Sequence, residues 1–124
     1  MASILVIDDE VALLKGLERA LKTRGHTVVT ETTGERAISN LSENEYDLIV
    51  LDLILPDLDG FEVLQRIENF PNRPKILVFS GGGPFGSPEV LLRAARQLGA
   101  NAVLEKPVSL KDFLAQVDDL LTVS

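Results

Sequence analysis

Four short apolar runs in this 124-residue chain end on side chains that can do chemistry. Ser3-Ile4-Leu5-Val6-Ile7 stops at Asp8-Asp9, and Leu48-Ile49-Val50-Leu51 stops at Asp52. Ile76-Leu77-Val78-Phe79 stops at Ser80, and Ala102-Val103-Leu104 stops at Glu105-Lys106-Pro107. Carboxylates brought together repel one another, and without compensation at least one has its pKa raised. A hard divalent cation offsets that repulsion; Mg2+ takes oxygen ligands while keeping several waters. Lys106 adds a point positive charge and Ser80 a hydroxyl donor. These are the parts that hold a phosphoryl group in transfer. Metal and lysine neutralise its equatorial oxygens, the hydroxyl donates to it, and a carboxylate attacks phosphorus. Each residue alone has a plainer explanation: Asp9 as a helix N-cap, Asp52 as a turn residue ahead of Pro56, Ser80 as loop, Lys106 as a solvated cation. What argues for chemistry is that all of them fall at strand ends.

The elements that must position them follow from the apolar pattern. Short β-branched runs ending in polar residues read as strands buried on both faces. Between them, Leu14, Leu17 and Leu21 mark a helix stopped by Gly25, and Ala37, Ile38 and Leu41 a more modest one. Phe61, Val63, Leu64 and Ile67 mark a third, and Val90, Leu91, Ala94, Ala95 and Leu98, stopped by Gly99, a fourth. Leu110, Phe113, Leu114, Val117, Leu120 and Leu121 give a strongly amphipathic last helix. Thr27-Val28-Val29-Thr30 supplies a second, shorter strand, and Gly25-His26 an exposed turn before it. The result is strand then helix, five times over. That pattern predicts an α/β fold: a parallel sheet with right-handed crossovers and helices on both faces. Five units are too few for an eight-stranded barrel. An open doubly wound sheet in the order 2-1-3-4-5 is expected instead, with strands 1 and 3 adjacent at the switch point where such sheets bind ligands. Asp8, Asp9 and Asp52 then converge there.

Composition narrows the function. The length suits one domain over 1–124. With 19 acidic against 12 basic side chains, the formal charge of −7 argues against nucleic-acid binding and suits metal ions or basic partners. Zero cysteines exclude disulfides, thiolate zinc sites and Cys nucleophiles, and a single histidine, His26, excludes His-rich metal sites. No apolar run approaches the ~20 residues of a membrane span, and no signal peptide precedes the first strand.

Four stretches together resemble the receiver domain of two-component response regulators: Val6-Ile7-Asp8-Asp9-Glu10, Leu51-Asp52-Leu53-Ile54-Leu55-Pro56-Asp57-Leu58-Asp59-Gly60, Val78-Phe79-Ser80, and Leu98-Gly99-Ala100-Asn101-Ala102 running into Glu105-Lys106-Pro107. The likeness covers the whole chain in order, and the combined pattern is far more specific than any part. It implies a flavodoxin-like (CheY-like) fold and a stand-alone cytoplasmic signalling module with no output domain, not an enzyme in its own right. It implies Asp52 as phosphoacceptor, and Mg2+ held by Asp8, Asp9, Asp52 and the backbone carbonyl of Ile54. Ser80 becomes the switch hydroxyl and Lys106 the phosphate's lysine, with a cis Lys106–Pro107 bond. The implied partners are a histidine kinase or phosphotransfer protein and a downstream protein target, with no nucleic acid and no membrane. The chain would be a monomer or a phosphorylation-dependent dimer, such dimers commonly using the fourth helix, fifth strand and fifth helix; Leu92 and Val103 belong to that face or to the core.

Two features depart from the family. Its usual aromatic three positions before the lysine is Val103 here, and the loop after Ser80 is several residues longer, with Gly81, Gly82, Gly83 and Gly86. Phosphorylation is therefore expected to order that loop through Ser80, with Phe85 a candidate for the missing aromatic. Ile54 and Gly82, which flank the phosphate in the family, offer no side chain to position water, so dephosphorylation is expected to be slow to moderate. Three rivals are weaker. A Mg2+-dependent aspartate-nucleophile phosphohydrolase of the haloacid-dehalogenase type needs a second Asp where Ile54 stands. An FMN binder wants a Ser/Thr/Gly-rich loop where Asp8-Asp9-Glu10 stands. A phosphorylation-independent binding module has no need for the intact acidic, Ser80 and Lys106 set.

Overall fold

The computed structural model describes residues 1–57, 60–81 and 87–122. The expected alternation runs through it: β1 (Ser3–Ile7), α1 (Val11–Thr23), β2 (Thr27–Glu31), α2 (Gly34–Glu43), β3 (Leu48–Asp52), α3 (Gly60–Glu68), β4 (Lys75–Ser80), α4 (Pro88–Gln97), β5 (Ala102–Glu105) and α5 (Leu110–Thr122). The strands are parallel throughout, in the order β2-β1-β3-β4-β5. β3 sits in the centre, which is why its sequence is an unbroken apolar run ending in one charge; all five of its residues are buried. Among the described residues, no helix is long and apolar enough to cross a membrane.

Side-chain alternation along the strands separates two apolar layers. Leu5, Ile7, Ile49, Leu51, Ile76 and Val78 pack on one face with residues of α2, α3 and α4. Ile4, Val6, Val50, Leu77 and Phe79 pack on the other with Leu14, Leu17 and Leu21 of α1 and Phe113 and Val117 of α5. Leu92 is buried in the first layer and Val103 packs against it, partly covered.

Helix ends are fixed by specific bonds. α1 closes through Gly25 at φ 92°, whose N–H donates to the Lys22 carbonyl at 2.9 Å, a conformation that glycine adopts without strain. At the start of α2, the Thr33 hydroxyl accepts from Arg36 N–H at 3.2 Å. The Asp57 carboxylate, arriving from the loop after β3, accepts from Gly34 and Glu35 N–H at 2.8 and 2.9 Å. A carboxylate there satisfies orphan donors and complements the helix dipole.

His26 departs from the expectation of an exposed turn residue. It is half-buried, and its Nδ1 accepts the Ala2 N–H at 3.1 Å. The reason is register: Ser3 pairs with Thr27, so the residues preceding β1 and β2 lie side by side. The loop reading for residues 82–86, with Gly82 and Phe85, falls outside the described residues.

Candidate functional site

Strand alternation explains how three chemical groups reach one corner. Val6, Val50 and Leu104 all face the α1/α5 layer, and two residues beyond them stand Asp8, Asp52 and Lys106. With a period of two, these side chains leave the sheet on that same side, just past its carboxyl edge. Ser80 ends β4 in phase with Ile76 and Val78 and so starts from the opposite layer. Its carbonyl accepts the Lys106 N–H at 3.0 Å, tying β5's exit to β4's end.

Lys106 is the centre of the charge arrangement. Its Nζ lies 3.0 Å from Asp8 Oδ2 and 3.0 Å from Asp52 Oδ2, and 3.8 Å from Glu10 Oε1. Asp8 is fully buried and Asp52 5% exposed, so neither charge is solvated in the ordinary way. The remaining oxygens are held by backbone: Asp8 Oδ1 accepts Glu10 N–H at 2.9 Å, and Asp52 Oδ1 accepts Ile54 N–H at 3.0 Å. Asp9 is exposed. It does not cap α1, whose N-cap is Glu10 without a side-chain bond. Instead, oxygens of Asp8, Asp9 and Asp52 lie within 4.8 Å of one another, a spacing that fits one hard cation.

The electrostatics follow. Burial pushes the Asp52 carboxyl above its ordinary value, and Asp8's charge adds to this; the Ile54 N–H and Lys106 oppose it without cancelling it. The repulsion argument anticipates a raised carboxylate, but the main cause is desolvation. Burial pulls the Lys106 ammonium down, yet hydrogen bonds and charge from Asp52 and Asp8 outweigh it and leave the pKa raised. The lysine is therefore charged, and the buried carboxylates have their counter-ion in place.

Three neighbours of the site escape a reading from sequence alone. Glu10 comes within reach of Lys106 because α1 starts immediately after the acidic pair. Gly60 packs so closely on the site's backbone that a Cβ there would lie 2.6 Å from Leu53 Cα and 2.9 Å from the Asp52 carbonyl oxygen; a glycine opening the helix after β3 is the available signal. Phe79, which reads as plain core, places its ring under Lys106 Nζ, 5.1 Å from centroid to nitrogen. The Lys106–Pro107 bond is cis.

Known proteins share this arrangement of elements and motifs. The profile of the response regulator receiver domain matches residues 4–118. The chain is similar to the transcriptional regulatory protein AfsQ1 of Streptomyces coelicolor, 45% identical over 63% of this chain and 35% of that protein. It is also similar to the transcriptional regulatory protein KdpE of Mycobacterium tuberculosis, 32% identical over 94% of this chain and 50% of that protein. It thus spans half the length, or less, of these curated relatives. Among solved structures, a two-component response regulator from Clostridium difficile superposes with a TM-score of 0.88 at 27% identity, covering 99% of this chain and 98% of that one. With the fold, the strand-end residues and these likenesses in agreement, the chain belongs to the response regulator receiver domain family of two-component systems.

Proposed function

We propose that Asp52 accepts a phosphoryl group from a histidine kinase, a phosphotransfer protein or a small acyl phosphate, and that the modified domain changes its affinity for a downstream protein. An Asp52 oxygen forms the new bond to phosphorus as the P–N bond of phosphohistidine, or the P–O bond of the acyl phosphate, breaks; the imidazole or carboxylate leaves with that bond's electrons. Asp8, Asp9, Asp52 and the Ile54 carbonyl hold Mg2+, which neutralises phosphoryl oxygens when bound. Lys106, already charged, moves its bond from the Asp52 carboxylate to the incoming phosphoryl oxygens, and Ser80 donates a hydrogen bond from the far layer. The apolar Ile54 side chain leaves water unpositioned, so the acyl phosphate decays at a slow to moderate rate. Output runs through protein contact in the cytoplasm, because the −7 charge disfavours a nucleic-acid contact by these residues.

The observation that carries this reading is Lys106 Nζ at 3.0 Å from both buried carboxylates, beside a three-oxygen cluster of metal-ligand spacing. The test is intact-protein mass after incubation with Mg2+ and acetyl phosphate. One phosphoryl adduct that needs Mg2+ and disappears in Asp52→Ala is the expected result. An adduct that survives in Asp52→Ala, or none from either acyl phosphate or a phosphorylated kinase, overturns it.

A further inference from the structure

We propose that Phe79 is a positioning residue for Lys106: its ring face seats the ammonium between Asp8 and Asp52. This rests on reading the site as a phosphoryl acceptor.

The register places Phe79 for the task. It pairs with Asp52 on β3 and with Leu104 on β5, so it lies directly between the acceptor strand and the strand that delivers Lys106. Phe79 faces the α1/α5 layer, the same side from which Asp52 and Lys106 project. The ring is fully buried, and it meets Phe113 of α5 edge to face at 6.4 Å and 75°, which limits its rotation.

The ammonium needs such a seat. A lysine carries its charge on a flexible four-carbon stem, unlike the planar fork of arginine. Of its three N–H donors, one reaches Asp8 Oδ2 and one Asp52 Oδ2, while Glu10 at 3.8 Å is beyond hydrogen-bond length. A phosphoryl group on Asp52 draws one of those bonds away. The ring face attracts the cation through its quadrupole without competing as a hydrogen-bond acceptor, so it restrains the ammonium before and after transfer alike. The position one residue before Ser80 thus carries a charge-facing aromatic, and Phe113 connects that aromatic to α5.

The experiment compares Phe79→Leu with Val117→Ala, which trims a fully buried side chain of the same layer and leaves both rings in place. With Mg2+ and acetyl phosphate, Phe79→Leu is expected to slow adduct formation about three- to tenfold, whereas Val117→Ala retains the wild-type rate. Equal rates in all three proteins, or equal slowing in both variants, overturn the proposal. A second arm needs neither variant nor phosphorylation. In the wild-type NMR spectrum, the Lys106 ε-methylene protons are expected upfield of ordinary lysines, shifted by the ring they overlie; ordinary positions overturn the proposal. If the wild type takes no phosphoryl group, the acceptor reading fails, and the ring-current arm still decides whether Phe79 seats the ammonium.

Discussion

Ionised Asp52 gives up most of its hydration and receives Lys106 and one backbone N–H in exchange, and its carboxyl still titrates above the ordinary range. The consequence for stability has a definite sign. A carboxyl whose pKa is higher in the folded state favours folding while protonated, and that contribution disappears as pH rises through the folded pKa. At neutral pH without Mg2+, ionised Asp52 therefore costs stability. Asp52→Asn is expected to raise Tm in Mg2+-free buffer at neutral pH, the difference from wild type shrinking as pH falls towards about 4; thermal scans across that range check it. Asp9 behaves differently because it is exposed. Asp9→Asn should leave the metal-free Tm nearly unchanged and remove most of the increase that Mg2+ gives the wild type. That increase amounts to about 2.7 kcal/mol at a metal concentration of 100 times Kd, so Mg2+ titrations followed by thermal melts, with chelator as baseline, resolve the loss.

At the scale of elements, the strands and helices were legible because the apolar pattern changes period where the structure changes. Leu14, Leu17 and Leu21 bury the inner face of α1, and β3 is apolar until its last residue. The strand-end residues were legible for the same reason: a charge at the end of a run buried on both faces falls at the carboxyl edge. Hidden were contacts fixed by register and by loops crossing between units. The His26–Ala2 bond, the ring of Phe79 under Lys106, and Asp57 reaching α2 join residues far apart in sequence. Two expectations follow from such contacts. Asp57→Ala removes the acceptor for Gly34 and Glu35 N–H and should cost about 1 kcal/mol, the usual value of an N-terminal cap, with faster amide exchange confined to the first turn of α2. Gly60→Ala forces a Cβ against Leu53 and Asp52 backbone, which cannot yield as a side chain tip would. A loss of about 1–3 kcal/mol is expected, together with slower phosphorylation, since the displaced backbone carries the proposed acceptor; denaturant unfolding and adduct kinetics read the two effects separately.

The whole molecule adds a long-range field. Of the chain's net charge of −7, Asp8, Asp9, Asp52 and Lys106 account for only part, so a share of the attraction for the proposed Mg2+ comes from charges outside the cluster. Raising salt from roughly 10 mM to 150 mM shortens the screening length from about 30 Å to about 8 Å. The Mg2+ midpoint for thermal stabilisation should move several-fold higher over that range; an unchanged midpoint would confine the attraction to the three carboxylates. The sheet, meanwhile, works as a party wall. Leu77 and Val78 are consecutive in the chain yet furnish different rooms, one shared with α1 and α5, the other with α2, α3 and α4. At the carboxyl edge Asp52 hangs from one side of that wall and Ser80 from the other. A phosphoryl group on Asp52 held by Ser80, as proposed, would act as a rivet through the masonry, letting the helices of both layers feel an event at one atom.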